Sequence, residues 1–302
     1  MTSDDIAREF HTYQVRPTGP QIVLDNANNW LYRHRSDVTS QAGENGIIAK
    51  ILEIIGARNR WCMEIGAGDG RYFSNTWPLI HDAGWSAVLF EQDPERFQQL
   101  TTAHAAHPGV HGIQGAVTFD GEASLDALLK QAGAPSDIDL VSIDVDGPDY
   151  HLWDSLKATK PRVVVIEFNP TIPTNIVFVQ KRDLAVQQGA SLTALVELGL
   201  RKGYELVACT WLNAFFVQRA DFAAFNIADN TPRGMGFDLR GDQMFYLYDG
   251  TIVKTGEMIL PWQGIRLDLE DLQILPRAQR VFRPQPRWRS TLSALIRGEQ
   301  PE

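Results

Sequence analysis

Only two cysteines stand in the 302 residues, Cys62 and Cys209. Both fall in apolar, strand-like runs, so buried free thiols are expected, and neither a disulfide framework nor zinc-ligand spacing can be built from them. No apolar run approaches the length of a membrane span. The first twenty residues are polar and contain no apolar core of the kind an export signal needs. A cytoplasmic protein with no membrane partner is therefore expected. Basic charge is also short: 28 Lys and Arg face 37 Asp and Glu, for a net charge of −9. That argues against a broad nucleic-acid footprint, which needs a basic surface. The one basic concentration is Arg277, Arg280, Arg283, Arg287 and Arg289, interleaved with prolines, and it reads as a solvated tail. Internal repeats and low-complexity segments are absent. The remaining composition, 44% hydrophobic and 22% charged, is that of an ordinary globular protein with one large domain or two small ones.

One stretch organises the chain: Trp61 to Gly70, W-C-M-E-I-G-A-G-D-G. An apolar run leads into Glu64, after which Gly66, Gly68 and Gly70 alternate through a tight turn. Glycines at this spacing let the backbone take positive φ and pass close to a ligand. In open α/β sheets, ligands bind at the carboxyl ends of strands, where this turn would sit. Roughly 20 residues further on, a second apolar run, Ser86 to Phe90, ends in Glu91. A carboxylate at that place typically holds a ribose diol. An adenosine-containing cofactor is the first expectation.

The rest of the chain alternates helix and strand patterns. Residues 1–36 are polar with scattered aromatics and leave room for an oligomer contact. Ile47, Ile48, Ile51, Leu52, Ile54 and Ile55 have helical spacing. Ser40, Gln41 and Glu44 before them could cap that helix or reach over a cofactor. Ser74-Asn75-Thr76 opens another helix, with Asn75 either its N-cap or a contact to the cofactor. Asp93-Pro94 is a helix start, a cap followed by proline at the first helical position. A third strand fits 110–117. The fourth, Asp139 to Gly147, alternates so that Ser142, Asp144 and Asp146 share one side. The fifth, 162–169, places Glu167 and Asn169 on one face. Residues 170–190 have no period, and a loop of that length in a compact domain is commonly a functional lid. Ser191 caps a further helix that Gly203 ends. Tyr204 to Thr210 and Phe215 to Gln218 form a hairpin joined at Leu212-Asn213. Beyond it, Met244 to Tyr248 and Thr251 to Val253 flank an Asp249-Gly250 turn, and Leu260-Pro261-Trp262 would dock this extension.

Glu-x-Gly-x-Gly-x-Gly, with Glu91 and the terminal hairpin in order, resembles class I S-adenosylmethionine-dependent methyltransferases over residues 40–218. S-Q-A-G-E before the first strand, S-N-T after the turn and I-D-V-D-G at the fourth strand are similar to the FkbM-like group of small-molecule O-methyltransferases. The resemblance implies an α/β fold: a Rossmann-like, doubly wound, seven-stranded mixed sheet whose last strand is antiparallel, with N- and C-terminal extensions. It implies a helical cap over 1–58, a cofactor-binding core over 59–219, and an extension with a β-hairpin over 220–302. It implies cofactor contacts from Glu64, Gly66, Ala67, Gly68, Gly70, Asn75, Glu91, Gln92, Ala116 and Asp144, and a small-molecule acceptor.

The acids at the ends of the fourth and fifth strands carry the chemistry. Methyl transfer to a hydroxyl benefits from proton removal by a base, or from a metal that lowers the hydroxyl pKa. The run ending in Asp144 resembles the fourth strand of catechol-type O-methyltransferases, whose corresponding acid binds Mg²⁺. That family follows its fifth strand with adjacent Asp-Asn, whereas here Phe168 separates Glu167 from Asn169. Asp144, Glu167 and Asn169 are thus the expected Mg²⁺ ligands. Asp146 is an alternative to Asp144, or a hydrogen-bond partner of the turn at Gly147. Asp144 and His151 are the candidate catalytic residues; a structural contact is the other reading of His151. His81, His104 and His107 fall on helices away from the sheet's carboxyl edge and are set aside. Trp153, Phe168 and Trp211 read as core residues or as walls of an acceptor pocket. An N-methyltransferase, a non-catalytic cofactor-binding protein and a nicotinamide-dependent oxidoreductase are the competing functional readings. The glycine spacing and the hairpin disfavour the last.

Overall fold

Strands with long runs of Val, Ile and Leu bury both faces, which calls for a parallel sheet covered by helices on each side. The run Val163-Val164-Val165-Ile166 is wholly inaccessible to solvent, and it forms the middle of such a sheet. The computed structural model describes residues 22–237, 244–254 and 259–281. The chain divides into two compact units, one of residues 20–241 and one of 1–19 with 242–302.

In the larger unit, β1 (Trp61–Ile65), β2 (Ser86–Glu91), β3 (Val110–Gln114), β4 (Leu140–Ile143), β5 (Val163–Glu167), β6 (Tyr204–Cys209) and β7 (Asn213–Gln218) make one seven-stranded sheet. Its order is β3-β2-β1-β4-β5-β7-β6. Neighbours from β3 to β5 pair in parallel, while β7 runs antiparallel to both β5 and β6. This is the Rossmann-like mixed sheet expected from the sequence.

The helices follow their sequence signals. α1 (Glu44–Ile55) buries Ile47, Ile48 and Ile51 and ends at Gly56. α2 (Trp77–His81) is short. α3 (Pro94–Ala103) begins where the Asp93 carboxylate accepts the Arg96 N–H at 2.9 Å. α4 (Leu125–Gln131), α5 (Asp149–Ser155) and α6 (Leu192–Lys202) complete the alternation, before the short α7 (Arg219–Phe222). Ser191 caps α6, and Gly203, at φ +86°, ends it.

Four boundaries differ from the sequence reading, each for a local reason. The fourth strand, expected from Asp139 to Gly147, is Leu140–Ile143, because the Val145 and Gly147 N–H groups turn to the Asp149 carboxylate. The third strand stops at Gln114, because Gly115 turns the chain at φ +130°. The fifth stops at Glu167; the Phe168 N–H turns to the Leu212 carbonyl and the Asn169 N–H to the Ala190 carbonyl. The last hairpin turns at Trp211-Leu212, not Leu212-Asn213. Thr210 closes it, its N–H bonding the Asn213 carbonyl at 2.8 Å and its hydroxyl accepting the Asn213 N–H at 3.0 Å. Asn213 thereby becomes the first residue of β7, paired with Glu167.

The segment 22–58, expected as a cap, is packed into the larger unit. Asn29 is fully buried, with its amide bonded to the carbonyl and N–H of Cys209 at 3.0 Å each. Trp30 donates its indole N–H to the Phe225 carbonyl. Both cysteines are free and buried. In the smaller unit, β8 (Met244–Tyr246) and β9 (Ile252–Lys254) pair antiparallel around the Asp249-Gly250 turn. β10 (Ile259–Leu260) pairs with β11 (Ile265–Arg266). Leu260-Pro261-Trp262 lies in the turn of this second hairpin with Trp262 exposed. Among the described residues, no helix is long and apolar enough to cross a membrane.

Candidate active site

The carboxyl ends of β1, β2 and β4 come together through the glycine turn. The N–H groups of Gly66 and Ala67 both donate to the Phe90 carbonyl, at 3.1 and 3.0 Å. Gly66 has φ +80°, and a Cβ there would collide with the Asp144 carbonyl oxygen. Its glycine is required by the approach of β1 to β4 inside the protein. Gly68, at φ +55°, faces open space, and its N–H donates to Glu91 Oε2 at 2.8 Å. The other Glu91 oxygen accepts the Asp93 N–H at 2.7 Å. Glu91 is buried, and its carboxylate ties the glycine turn to the tip of β2.

Glu64 lies inside the fold, below the turn. One oxygen accepts the hydroxyls of Ser74 and Thr76 at 2.7 Å each, and the other the Asn75 N–H at 2.6 Å. Burial pushes its carboxyl up, while these bonds pull it back down. Its visible role is to prop the Ser74-Asn75-Thr76 corner. Asn75 does not cap α2: its amide N–H₂ reaches Ser142 Oγ on β4 at 3.0 Å, and the Ser74 hydroxyl accepts the Trp77 N–H instead. The S-Q-A-G-E segment also serves the fold. Ser40 bonds Asp37 and the Asn45 N–H. Glu44, fully buried, accepts the Ala42 N–H with one oxygen, and the Thr210 hydroxyl and Asn213 amide with the other.

Above this layer opens a cleft of about 250 Å³, at the small end for ligand pockets. Gly66, Glu91, Gln92, Ala116, Asp144 and Asp146 line it, together with Leu184 and Gln187 from the 170–190 segment. Of the ten expected cofactor residues, Gly66, Glu91, Gln92, Ala116 and Asp144 line the cleft; Glu64, Ala67, Gly68, Gly70 and Asn75 do not, Glu64 and Asn75 being bonded to each other and Gly70 closed in by His104. The 170–190 segment is held by Gln180, a buried residue that sequence reading passed over. Its side-chain oxygen accepts the N–H groups of Gln188 and Gly189, and its side-chain nitrogen donates to the Val186 carbonyl. His151 donates Nε2–H to the Gln180 carbonyl at 2.8 Å, because a carbonyl can only accept. Its place is against the 170–190 segment, and it does not line the cleft.

Asp144 and Asp146 line the cleft, and Glu167 comes close to both. One ligand oxygen from each of Asp144, Asp146 and Glu167 lies within 4.8 Å of the others. Burial, then the neighbouring acids Asp149, Asp146, Glu64 and Glu44, push Asp144 up from the carboxylate range. Burial and then Asp144 push Glu167 further. Among the described residues, no ion pair neutralises any of the three. Asn169 is not free to join them: its side-chain oxygen accepts both the N–H and the hydroxyl of Thr171, at 3.0 and 2.6 Å. Asp146 takes the third corner, in the left-handed region at φ +55°. It does not bond the Gly147 turn; Asp149 does. Asp149, also passed over, is buried and accepts the Val145 and Gly147 N–H groups at 2.9 Å each. Its carboxyl is pushed up to about 6, by burial first. The D-x-D-G-x-D spacing could have marked it as the residue that folds the loop back.

The histidines set aside earlier form a string that reaches the turn through His104. His104 bonds the Gly70 carbonyl through Nε2 and His81 through Nδ1, and His81 bonds His107. The Gly70 carbonyl fixes every tautomer in this string, each ring donating from Nε2. Trp153 and Phe168 are core residues, whereas Trp211 is exposed against Phe237.

No family model and no curated protein matches the chain. Solved structures similar to it include the CcbJ methyltransferase from Streptomyces caelestis, at 16% identity over 56% of this chain and 94% of that one, with a TM-score of 0.36. A S-adenosylmethionine-dependent methyltransferase from Clostridium acetobutylicum is 7% identical over 58% and 90%, with a TM-score of 0.37. The N-terminal domain of EvdMO1, crystallised with S-adenosylhomocysteine and D-fucose, is 13% identical over 58% and 82%, with a TM-score of 0.36.

Proposed function

We propose that the chain is a S-adenosylmethionine-dependent methyltransferase of the FkbM-like kind. Its acceptor is a hydroxyl of a small molecule, a sugar or a secondary metabolite, with Mg²⁺ held by the acid cluster. One observation carries the reading. Gly66 of the glycine turn, Glu91 and Asp144 line a single cleft at the carboxyl edge of a sheet ordered β3-β2-β1-β4-β5-β7-β6.

The residues fit the cofactor. Each Glu91 oxygen keeps a lone pair after its backbone bond, which suits a ribose diol. Gly68 and Gly115 leave space where a side chain would stand. The unneutralised carboxylates suit a cationic ligand. Bound S-adenosylmethionine supplies a methyl carbon on a positively charged sulfur. The donor set of Asp144, Asp146 and Glu167 is all oxygen, which suits Mg²⁺. Bound Mg²⁺ would orient the acceptor hydroxyl and lower its pKa.

The chain's own groups do the rest. Glu91 and the turn orient the cofactor's ribose, and Asp144 orients the acceptor end. The lid residues Leu184 and Gln187 exclude water from the cleft. Asp144, which lines the cleft, is assigned the hydroxyl proton at a carboxylate oxygen, while Glu167, whose carboxyl is pushed up further by burial and by Asp144, is assigned to the metal alone. His151 fixes the lid through Gln180 and is not assigned the proton. Much of the acceleration comes from positioning.

Calorimetric titration with S-adenosylhomocysteine and with NADH, each with and without Mg²⁺, tests the reading. Binding of the former alone, enhanced by Mg²⁺, is expected. No binding of S-adenosylhomocysteine would end the proposal, and binding indifferent to Mg²⁺ and to chelator would end its metal half.

A further inference from the structure

We infer that Asn213 supplies a fourth, uncharged oxygen to the Asp144–Asp146–Glu167 site, and that Glu44 turns it there. The inference rests on the Mg²⁺ reading above and adds a ligand that the acid pattern in the sequence does not contain.

The sheet sets the geometry. Glu64 pairs with Ser142, and Ser142 with Val165, so these share a face. Two residues on, the same face carries Asp144 on the β4 side and Glu167 on β5. The ladder still holds at that level, since the Asp144 N–H bonds the Ile65 carbonyl. Across the next gap, Glu167 is directly opposite Asn213 of β7. Directly opposed residues of an antiparallel pair have neighbouring Cβ atoms on one face. Asp144, Glu167 and Asn213 therefore form one row of oxygen-bearing side chains along the sheet's carboxyl edge.

Asn213 is an anomaly within that row. It is 3% exposed, and its side-chain oxygen has no hydrogen-bond partner. A buried acceptor left without a donor calls for an explanation. The amide cannot be turned over to relieve it. Its nitrogen donates to Glu44 Oε1 at 3.2 Å, which also accepts the Thr210 hydroxyl at 3.1 Å. Turning the amide would set two acceptors against each other. Glu44 thus holds the nitrogen end, and the oxygen end is directed elsewhere. Neutral carbonyl oxygens beside carboxylates are ordinary ligands of hard divalent cations. The sequence offered Asn169 for this part, but its oxygen is spent on Thr171.

The test is a Mn²⁺ titration of the full chain followed by electron paramagnetic resonance, with Mg²⁺ as competitor. Asn213→Leu, which removes the oxygen at similar volume, should weaken Mn²⁺ binding by about tenfold or more. Asn213→Asp combined with Glu44→Gln, which keeps an oxygen at 213 and a donor opposite it, should bind at least as tightly as the wild type, and Asn213→Ser, too short to reach, should bind weakly. The Asp and Ser pair decides the matter if the Leu variant fails to fold. Mn²⁺ binding that Asp144→Asn abolishes but no Asn213 variant alters would overturn the inference and leave the metal reading standing. Absence of Mn²⁺ binding in the wild type would remove both.

Discussion

The two ends of the sheet treat their acids in opposite ways. At the amino end, Asp139 precedes β4 with no exposed surface. Its carboxylate accepts the N–H groups of Arg58, Asn59 and Arg60 at 2.7–3.0 Å and pairs with Arg162 at 3.3 Å. Arg162 in turn bonds the carbonyls of Ile55 and Gly56, closing α1, and reaches Asp221. At the carboxyl end, Asp144, Asp146 and Glu167 crowd together with no ion-pair partner among the described residues, although Arg96 lines the same cleft. The first arrangement is complete without a ligand, while the second accumulates negative charge that the fold leaves for something else. What counts for an acid's role is whether its oxygens are already used.

Replacing one acid at each end breaks this comparison most directly. Asp139→Asn should cost about 3–5 kcal/mol, the scale for removing one partner of a buried ion pair. Asp144→Asn should leave stability unchanged or raise it, because it relieves repulsion, while abolishing Mg²⁺-dependent methyl transfer. Chemical denaturation of both variants beside the wild type reads the contrast. Equal losses would make the carboxyl-end acids structural as well.

The glycine turn contains the same contrast on a smaller scale. Gly66 is closed in by the Asp144 carbonyl, whereas Gly68 faces open space. Gly66→Ala should cost about 3 kcal/mol and Gly68→Ala about 1 kcal/mol, the latter being left-handed strain alone. Denaturation midpoints separate them, and equal costs would refute the assignment of Gly68 to the ligand side.

Glu91 belongs to both classes, since it bonds two backbone N–H groups and also lines the cleft. Glu91→Ala should weaken S-adenosylhomocysteine binding by roughly 1–3 kcal/mol, the scale of a charge-assisted hydrogen bond. Calorimetry reads this, and unchanged affinity would place the ribose elsewhere.

The order of strands and helices was legible because each element carries its own period and punctuation: Asp93-Pro94 before α3, Ser191 and Gly203 around α6, the Val-rich run of β5. The first-rank acids were legible for the same reason, as alternation alone puts Ser142, Asp144 and Asp146 on one side. What could not be read was which acids the fold would consume. Glu64 looks like a ligand residue, but three donors from a corner ten residues on take its oxygens. Asn169 looks like a metal ligand until the chain turns at Thr171. Asn213 looks like a hairpin tip, and it becomes a cross-strand neighbour of Glu167 only because Thr210 tightens the turn by one residue. These outcomes depend on partners distant in sequence, and no local pattern encodes them.

The smallest expected effect concerns the histidine string beneath the turn. Burial, against the pull of the Gly70 carbonyl, lowers His104 from 6.5 to about 4. The charged groups nearest the string are Arg71 and Asp82, beside His81. A base held neutral in the folded state binds its proton more readily once unfolded. Its contribution to stability is thus full above pH 6.5 and is lost as the pH falls toward 4. At pH 6 only the edge of this window is entered, and the thermal midpoint should drop by roughly 2 °C relative to neutral pH. His104→Gln keeps an N–H for the Gly70 carbonyl but cannot titrate, so its midpoint should vary less over the same interval. A variant that tracks the wild type throughout would show that acid acts on other groups, and that the turn is indifferent to the charge beneath it.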